Sequence, residues 1–367
     1  MSSSRRAGTR RRGPAFDVVF FAPWIGPLLV PGTEPTLGGA ENQIAMLARQ
    51  LARDGYRVCV IAFDVSGLPS SADGVSIARV PALDGASRPV RAARLVRAIV
   101  GRRGRVMVQR AAGIETGVVG LLARVTGRRF VYSSASDADF RFEQVEPLRW
   151  RLRLFHLGVR VASQIVVQTE EQVGLCQERF GRRPLLIKSI AEPAPRLAGA
   201  RDAFLWVGRL SHYKRPEDFI RLAEALPDAR FRIVAAGSEG DLRERASALS
   251  NVEWLEPRPR TALFELMESA VAVVNTSDYE GMPNVFLEGW ARGVPALSLR
   301  HDPGGVIERC RLGAFAGGDF DRFVTDARTM WETRDDTAAV AERCRAYVAA
   351  EHDPGVVVRQ WIDALEL

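Results

Sequence analysis

Lysine is almost missing from this chain: of 51 lysine and arginine side chains, only Lys188 and Lys214 are lysines. A lysine inside a motif therefore carries more weight than in an ordinary sequence. Cysteine is scarce too. Cys59, Cys176, Cys310 and Cys344 are widely separated and form no C-x2-C pair. That spacing argues against a zinc site or disulfide framework and for a reducing, cytoplasmic compartment. His156, His212, His301 and His352 are equally scattered, so no metal and no other bound cofactor is expected. Long apolar runs are lacking as well. The best candidate, Val18 to Val30, is broken by Pro23, Gly26 and Pro27 and is too short to cross a bilayer. No apolar stretch follows the N-terminal basic residues as it would in a secretory signal. The expected protein is soluble, or at most peripheral at the inner face of a membrane. The fingerprint G-x-G-x-x-G is absent after the first strand, which speaks against an NAD enzyme.

In bulk the chain is ordinary. Its 367 residues, 47% hydrophobic and 26% charged, suit two domains of usual size. The net charge of +7 suggests an acidic partner, but Arg5, Arg6, Arg10, Arg11 and Arg12 supply most of it in a stretch without acids. What remains is nearly neutral and shows no basic–aromatic pattern, so nucleic acid is not an expected partner. Residues 1–13 read as a disordered basic tail. Such a tail is either simply solvated or touches anionic lipid headgroups, at roughly 1 kcal/mol per arginine.

From Phe16 onward short apolar runs alternate with helical stretches, the pattern of parallel α/β sheets. Expected strands at 16–21, 58–63, 77–80, 106–109, 129–132, 164–168 and 185–188 make a first unit, residues 14–190. Pro193 and Pro195 break the pattern and mark a linker, 191–200. The alternation restarts at 204–207, 231–235, 252–255, 271–274 and 295–298 in a second unit, 201–350. Residues 351–367 read as a C-terminal helix. The expected fold class is α/β, with two Rossmann-like parallel-sheet domains facing across a cleft.

Four stretches stand in loops after expected strands, where such sheets place their ligands. Gly38-Gly39-Ala40-Glu41 follows the first strand; its glycines suit either a tight turn or close backbone approach to a phosphate. Asp137-Ala138-Asp139 has the literal D-x-D spacing of a metal motif, but it is read here as a non-metal loop in which Asp137 is a cap, a turn residue or a ligand of a polar substrate. Gly208-Arg209-Leu210-Ser211-His212-Tyr213-Lys214 offers a planar guanidinium and a mobile ammonium. That pair suits a diphosphate; the alternative is a solvated basic loop. Asp278-Tyr279-Glu280-Gly281-Met282-Pro283-Asn284-Val285 leads from a buried strand into a helix containing Glu288. Gly281 is expected to loosen the turn, Pro283 to sit in the loop or at the first helical position, and Asn284 to serve as a cap. The free amides of that start make an anion site. Glu280 and Glu288 would repel an anion, so they read as acceptors for sugar hydroxyls, or else as two solvated acids.

The Glu280–Glu288 stretch resembles the E-x7-E motif of retaining GT-B glycosyltransferases of family four, the group 1 glycosyltransferases. The resemblance extends over most of the chain and is strongest from Phe204 to Leu299. It implies transfer of a sugar, with retention and without a metal, from a nucleoside-diphosphate donor to a saccharide acceptor. Arg209 and Lys214 would then contact the leaving diphosphate, with Met282, Pro283, Asn284 and Val285 at the helix start. Glu280 would meet the donor sugar, Glu288 the ribose, and the loop of Arg258 the nucleobase. Gly39 and Glu41 would line the cleft. Many members carry a histidine where this chain has the Ala135-Ser136-Asp137 loop; that version is similar to exopolysaccharide-type members, which makes Asp137 the candidate replacement. The acceptor implied is a lipid-linked saccharide in bacterial surface polysaccharide synthesis, and the last helix is expected to cross back to the first domain. A GT-B sugar-nucleotide epimerase and a non-catalytic nucleotide-sugar-binding protein stay open as alternatives.

Overall fold

The computed structural model describes residues 15–30, 38–81, 85, 87–144, 146–195, 200–237 and 240–367. The basic tail expected at 1–13 and part of the linker expected at 191–200 lie outside the described residues.

The first sheet has eight strands. In spatial order they are Ser71–Ala72, Val75–Val80, Val58–Phe63, Phe16–Phe21, Gly104–Arg110, Arg129–Ser133, Gln164–Val167 and Leu185–Leu186. All pairings are parallel except the short hairpin of the first two. Phe16–Phe21 is central, with Val19 in register with Cys59 on one side and Met107 on the other. Being covered on both faces, it is apolar without alternation. Val18 and Phe20 point into one core, and Val19 and Phe21 into another.

Helix α1 (Gly39–Arg53) covers the first of these cores through Ile44, Leu47, Ala48 and Leu51, the stripe its spacing predicts. Helices α2 (Arg88–Gly101), α3 (Ile114–Val125) and α4 (Arg149–Val161) lie over the other. α3 and α4 cross in backbone contact. A Cβ on Gly117 would strike the carbonyl of Leu154, and one on Gly158 the carbonyl of Thr116. Arg128 holds the end of α2 by donating to the carbonyls of Ile99, Val100 and Arg102, a C-terminal cap supplied by a cation.

The second sheet has six parallel strands, in the order Val252–Leu255, Phe231–Ala236, Ala203–Arg209, Ala270–Asn275, Ala296–Ser298 and Gly313–Phe315. The helix Pro216–Ala225 packs on one face with Phe204 and Trp206, and the helix Asn284–Ala291 on the other with Leu205 and Val273. The C-terminal helix Pro354–Leu365 leaves this domain. Its Val357, Val358, Trp361 and Leu365 share a core with Val18 and Phe20.

In each sheet two central neighbours send their connections to opposite faces: Phe16–Phe21 with Gly104–Arg110, and Ala203–Arg209 with Ala270–Asn275. Such a switch point opens a gap beyond the strands' C-terminal ends, where α/β sheets bind ligands. The two gaps face one another.

Candidate active site

Between the sheets lies a cleft of about 550 Å³ lined by both domains. The strand Ala203–Arg209 carries Arg209 to its edge, and a single turn of 3-10 helix, His212–Lys214, brings Lys214 beside it. The neighbouring strand Ala270–Asn275 delivers the loop of Glu280. These two loops are bonded into one body. Thr276 Oγ1 donates to the Lys214 carbonyl at 2.7 Å and accepts from Trp206 Nε1 at 3.1 Å. The Asp278 amide donates to the Tyr213 carbonyl at 2.8 Å, and the rings of Tyr213 and Tyr279 stack with centroids 5.0 Å apart. Arg215 adopts the left-handed φ of 49° and donates to Asp278. That conformation is costly for a non-glycine residue, and it is held by these surrounding bonds.

Lys214 and Glu280 form an ion pair through Nζ and Oε1. Ser277 Oγ donates to the same oxygen at 2.7 Å, and Asn275 Nδ2 approaches it at 3.4 Å. Burial would raise the Glu280 carboxyl, but Lys214 and Ser277 outweigh it and hold the pKa below the ordinary value. Burial likewise opposes the Lys214 ammonium, and Glu280 reverses the effect, so its pKa is raised. Both groups stay charged in a partly desolvated site.

Met282, Pro283, Asn284 and Val285 line the cleft as its second wall. The helix Asn284–Ala291 starts one residue earlier than a capping Asn284 requires: Pro283 is the N-cap and Asn284 the first helical residue, with no side-chain cap. Asn284 is engaged elsewhere. It donates to the Gly39 carbonyl at 3.0 Å and accepts from Gln43 Nε2 at 3.0 Å. Gly281 also departs from expectation, since it lies outside the left-handed region and its turn needs no glycine for that reason. What it needs is room. A Cβ there would lie 2.6 Å from the Ala135 carbonyl of the first domain. The pair Gly38–Gly39 follows the same logic. Gly38 has an ordinary φ of −68°, yet a Cβ on it would lie 2.6 Å from Arg209 Nη2, and one on Gly39 2.8 Å from Asn284 Nδ2. These glycines admit the opposite domain's side chains.

Glu288 lines the cleft one turn into the helix and accepts from Arg260 Nη2 at 2.7 Å. Burial raises its pKa against Arg260 and Arg292. Arg258 is exposed at the lip, and Glu41 lines the facing wall.

Asp137 is placed differently. It is buried beside the cleft, does not line it, and accepts from Gln172 Nε2 at 2.9 Å. Burial pushes its pKa up to about 6, against His301 and Gln172. Its amide donates to the Glu280 carbonyl at 3.0 Å. Asp139 lines the cleft instead, accepting from the Ala135 amide at 2.7 Å and Tyr132 Oη at 3.0 Å. The two acids of the D-x-D spacing thus turn to separate partners. Arg110 also lines the cleft, with Nη1 donating to Ser133 Oγ at 3.0 Å. Burial lowers its pKa to about 10, with Asp139 and Glu41 opposing. Sequence reasoning passed over Arg110 and named Asp139 only as part of the D-x-D spacing. For Arg110 the available signal was a charged residue ending a parallel strand, whereas Asp139 lies beyond the strand Arg129–Ser133, in the 3-10 segment Asp137–Gln144.

Residues 201–348 match the family model described as glycosyl transferases group 1, and residues 38–188 the one described as glycosyl transferase 4-like domain. An uncharacterized glycosyltransferase of Haemophilus influenzae is 31% identical over 161 residues, 41% of this chain and 45% of that protein. The match therefore spans less than half of that relative's length. D-inositol 3-phosphate glycosyltransferase of Nocardiopsis dassonvillei is 26% identical over 335 residues, 75% of this chain and 76% of the relative. Among solved structures, Anabaena HepE in complex with UDP and glucose superposes with a TM-score of 0.73 at 18% identity, covering 96% of this chain and 99% of that one. That likeness concerns the fold. With both family models matched in order, one on each sheet domain around a shared cleft, the chain belongs to the group 1 glycosyltransferases and has their two-domain GT-B fold.

Proposed function

We propose that this protein transfers a sugar, with retention, from a nucleoside-diphosphate donor to a lipid-linked saccharide in surface polysaccharide synthesis. The supporting observation is the convergence of Arg209, Lys214, the amides opening Asn284–Ala291 and both acids, Glu280 and Glu288, in one cleft. Arg209 and Lys214 take the charge that develops on the departing diphosphate, and the helix start takes it from the other side. In this reading they fill the role of a metal. All the donors named above reach Glu280 through Oε1, so Oε2 serves as acceptor for a donor-sugar hydroxyl. Glu288, steadied by Arg260, accepts from the ribose. Arg258 and Pro257 border the base. Glu41, Arg110 and Asp139 face the acceptor side, where Asp139 takes the position expected for Asp137.

The neighbour that holds UDP and glucose supports a uridine nucleotide as the first donor to try. Thermal stabilisation across a panel of nucleotide-sugars tests the reading, since a ligand at a hundred times its dissociation constant adds about 2.7 kcal/mol. Nucleotide release that needs a saccharide acceptor is the expected companion result. Absence of stabilisation by every uridine and guanosine diphosphate sugar would overturn it.

A further inference from the structure

The loop from Arg300 to Asp302 has no part in the reaction proposed above, yet each of its residues is anchored. Arg300 pairs with Asp218 at 2.7 Å and donates to the Thr276 carbonyl at 3.1 Å. Ser298 Oγ donates to the His301 carbonyl at 2.6 Å. Asp302 accepts from the Ile307 and Glu308 amides at 2.8 and 3.2 Å. From this rigid frame His301 turns a ring only 7% exposed toward the loop of Glu280, and its Nε2 lies 2.9 Å from the Gly281 carbonyl. A carbonyl only accepts, so Nε2 carries the proton.

The preceding carbonyl is held from the other side. Asp137 of the first domain donates its amide to the Glu280 carbonyl at 3.0 Å. Successive peptides of one loop therefore accept one bond from each domain. The space around them is tight: a Cβ on Gly281 would lie 2.6 Å from the Ala135 carbonyl, 2.9 Å from Gln168 Nε2 and 3.0 Å from Gln172 Nε2. Burial opposes the ionised forms of Glu280 and Asp137, and the His301 ring favours both, so it lies near the acid of each domain. We propose that His301 is a positioning residue, which fixes the Gly281 carbonyl and thereby keeps the Glu280 carboxylate where the donor sugar meets it. A leucine would fill the same space but leave that carbonyl buried and unpaired, which costs the loop its place. A displacement of about 1 Å at a reacting centre is enough to lose roughly a hundredfold in rate.

The test compares His301→Leu, which keeps the volume and removes the donor, with His301→Gln, whose amide donates from nearly the same reach. Should the leucine variant not fold, His301→Asn, whose amide stops short of the carbonyl, serves in its place. Amide hydrogen exchange of the full chain without substrate reads the loop directly. Loss of the donor should speed exchange of the Asp137 amide about fivefold, the worth of one hydrogen bond. The Ile190 amide, bonded to Gln43 Oε1 at 2.7 Å elsewhere on the seam, should keep its rate, and His301→Gln should restore the rate at Asp137. Equal acceleration at both amides, or none at Asp137, would overturn the proposal whatever the reaction is. Kinetics reads the consequence, and that half rests on the transfer proposed above. With the nucleotide-sugar that the wild type turns over, kcat of His301→Leu should fall roughly ten- to a hundredfold. The dissociation constant of the matching nucleoside diphosphate should stay unchanged, and His301→Gln should recover most of the rate. In a Glu280→Gln background the leucine change should cost nothing further. An additive loss, or an equal loss of diphosphate affinity, would make His301 a general prop and overturn its role. A wild type that turns over no nucleotide-sugar would instead sink the proposed reaction, and the exchange rates would still decide the loop.

Discussion

The side-chain amide of Asn284 donates to the carbonyl of Gly39 at 3.0 Å, bonding the first turn of a helix in one domain to the first turn of a helix in the other. Gln43 extends the bridge. It donates to Asn284 Oδ1 and to the Ile190 carbonyl and accepts from the Ile190 amide at 2.7 Å, so both helix starts are tied to the segment leading out of the first domain. Asn284→Ala removes the centre of this bridge and should cost about 1 kcal/mol of stability. Its larger effect should fall on domain closure. The KM for the nucleotide-sugar is expected to rise several-fold, with kcat changed less. An unchanged KM would show that the bridge plays no part in binding.

Lys214→Ala removes a cation from the proposed leaving-group site and leaves Glu280 buried without its partner. Turnover should fall on the order of a hundredfold or more, the usual loss for one preorganised donor at a developing charge. A second readout checks the pairing. In the wild type Glu280 is held below the ordinary carboxylate value, so it contributes stability that is present above about pH 4.5 and lost as the pH falls through its folded value. Without Lys214, burial dominates and the sign reverses, so the variant should gain stability relative to wild type on acidification. Wild-type turnover, or parallel pH profiles of the melting temperature, would refute the assignment.

Gly281→Ala tests the seam itself. The added Cβ would sit 2.6 Å from the Ala135 carbonyl and 2.9 Å from Gln168 Nε2, and only a shift of one domain relieves the backbone contact. A cost of about 1–3 kcal/mol is expected for such overpacking, together with a large loss of activity. A fully active, equally stable variant would mean that the domains do not need this approach.

Much of this architecture was legible because parallel strands buried on both faces are continuous apolar runs, as at Val18 to Phe21 and Val271 to Val274. Gly313–Phe315 escaped notice, being three residues long, led by a glycine and only half-buried. The site was legible where one local stretch carries the chemistry, as with Arg209 and Lys214 beside Gly208. It was not legible where the role depends on what faces the residue. Asn284 reads locally as a cap, and its actual partner is 245 positions away. Which of Asp137 and Asp139 reaches the cleft depends on how the 3-10 turns of Asp137–Gln144 wind, with a break at Arg141. No spacing rule encodes that.

Two buried groups at the domain seam titrate in one pH window with opposite consequences. His352 is fully buried, with Nδ1 donating to the Ser189 carbonyl at 2.7 Å, and burial lowers its pKa to about 4. It is neutral in the folded chain, so its contribution is present above about pH 6.5 and lost as the pH falls toward 4. Asp137, raised to about 6 by burial, contributes stability that is present below its unfolded value near 3.8 and lost as the pH rises through 6. Each effect is worth roughly 3 kcal/mol at most, so in the wild type they largely cancel between pH 6.5 and 4. Single variants should separate them. Asp137→Asn keeps an acceptor for Gln172 and leaves the His352 slope, so its melting temperature should fall more steeply with acid than that of the wild type. His352→Gln leaves the Asp137 slope, and its melting temperature should fall less steeply, or rise, over the same interval. Should both variants track the wild-type profile, neither group is titrating where its surroundings place it.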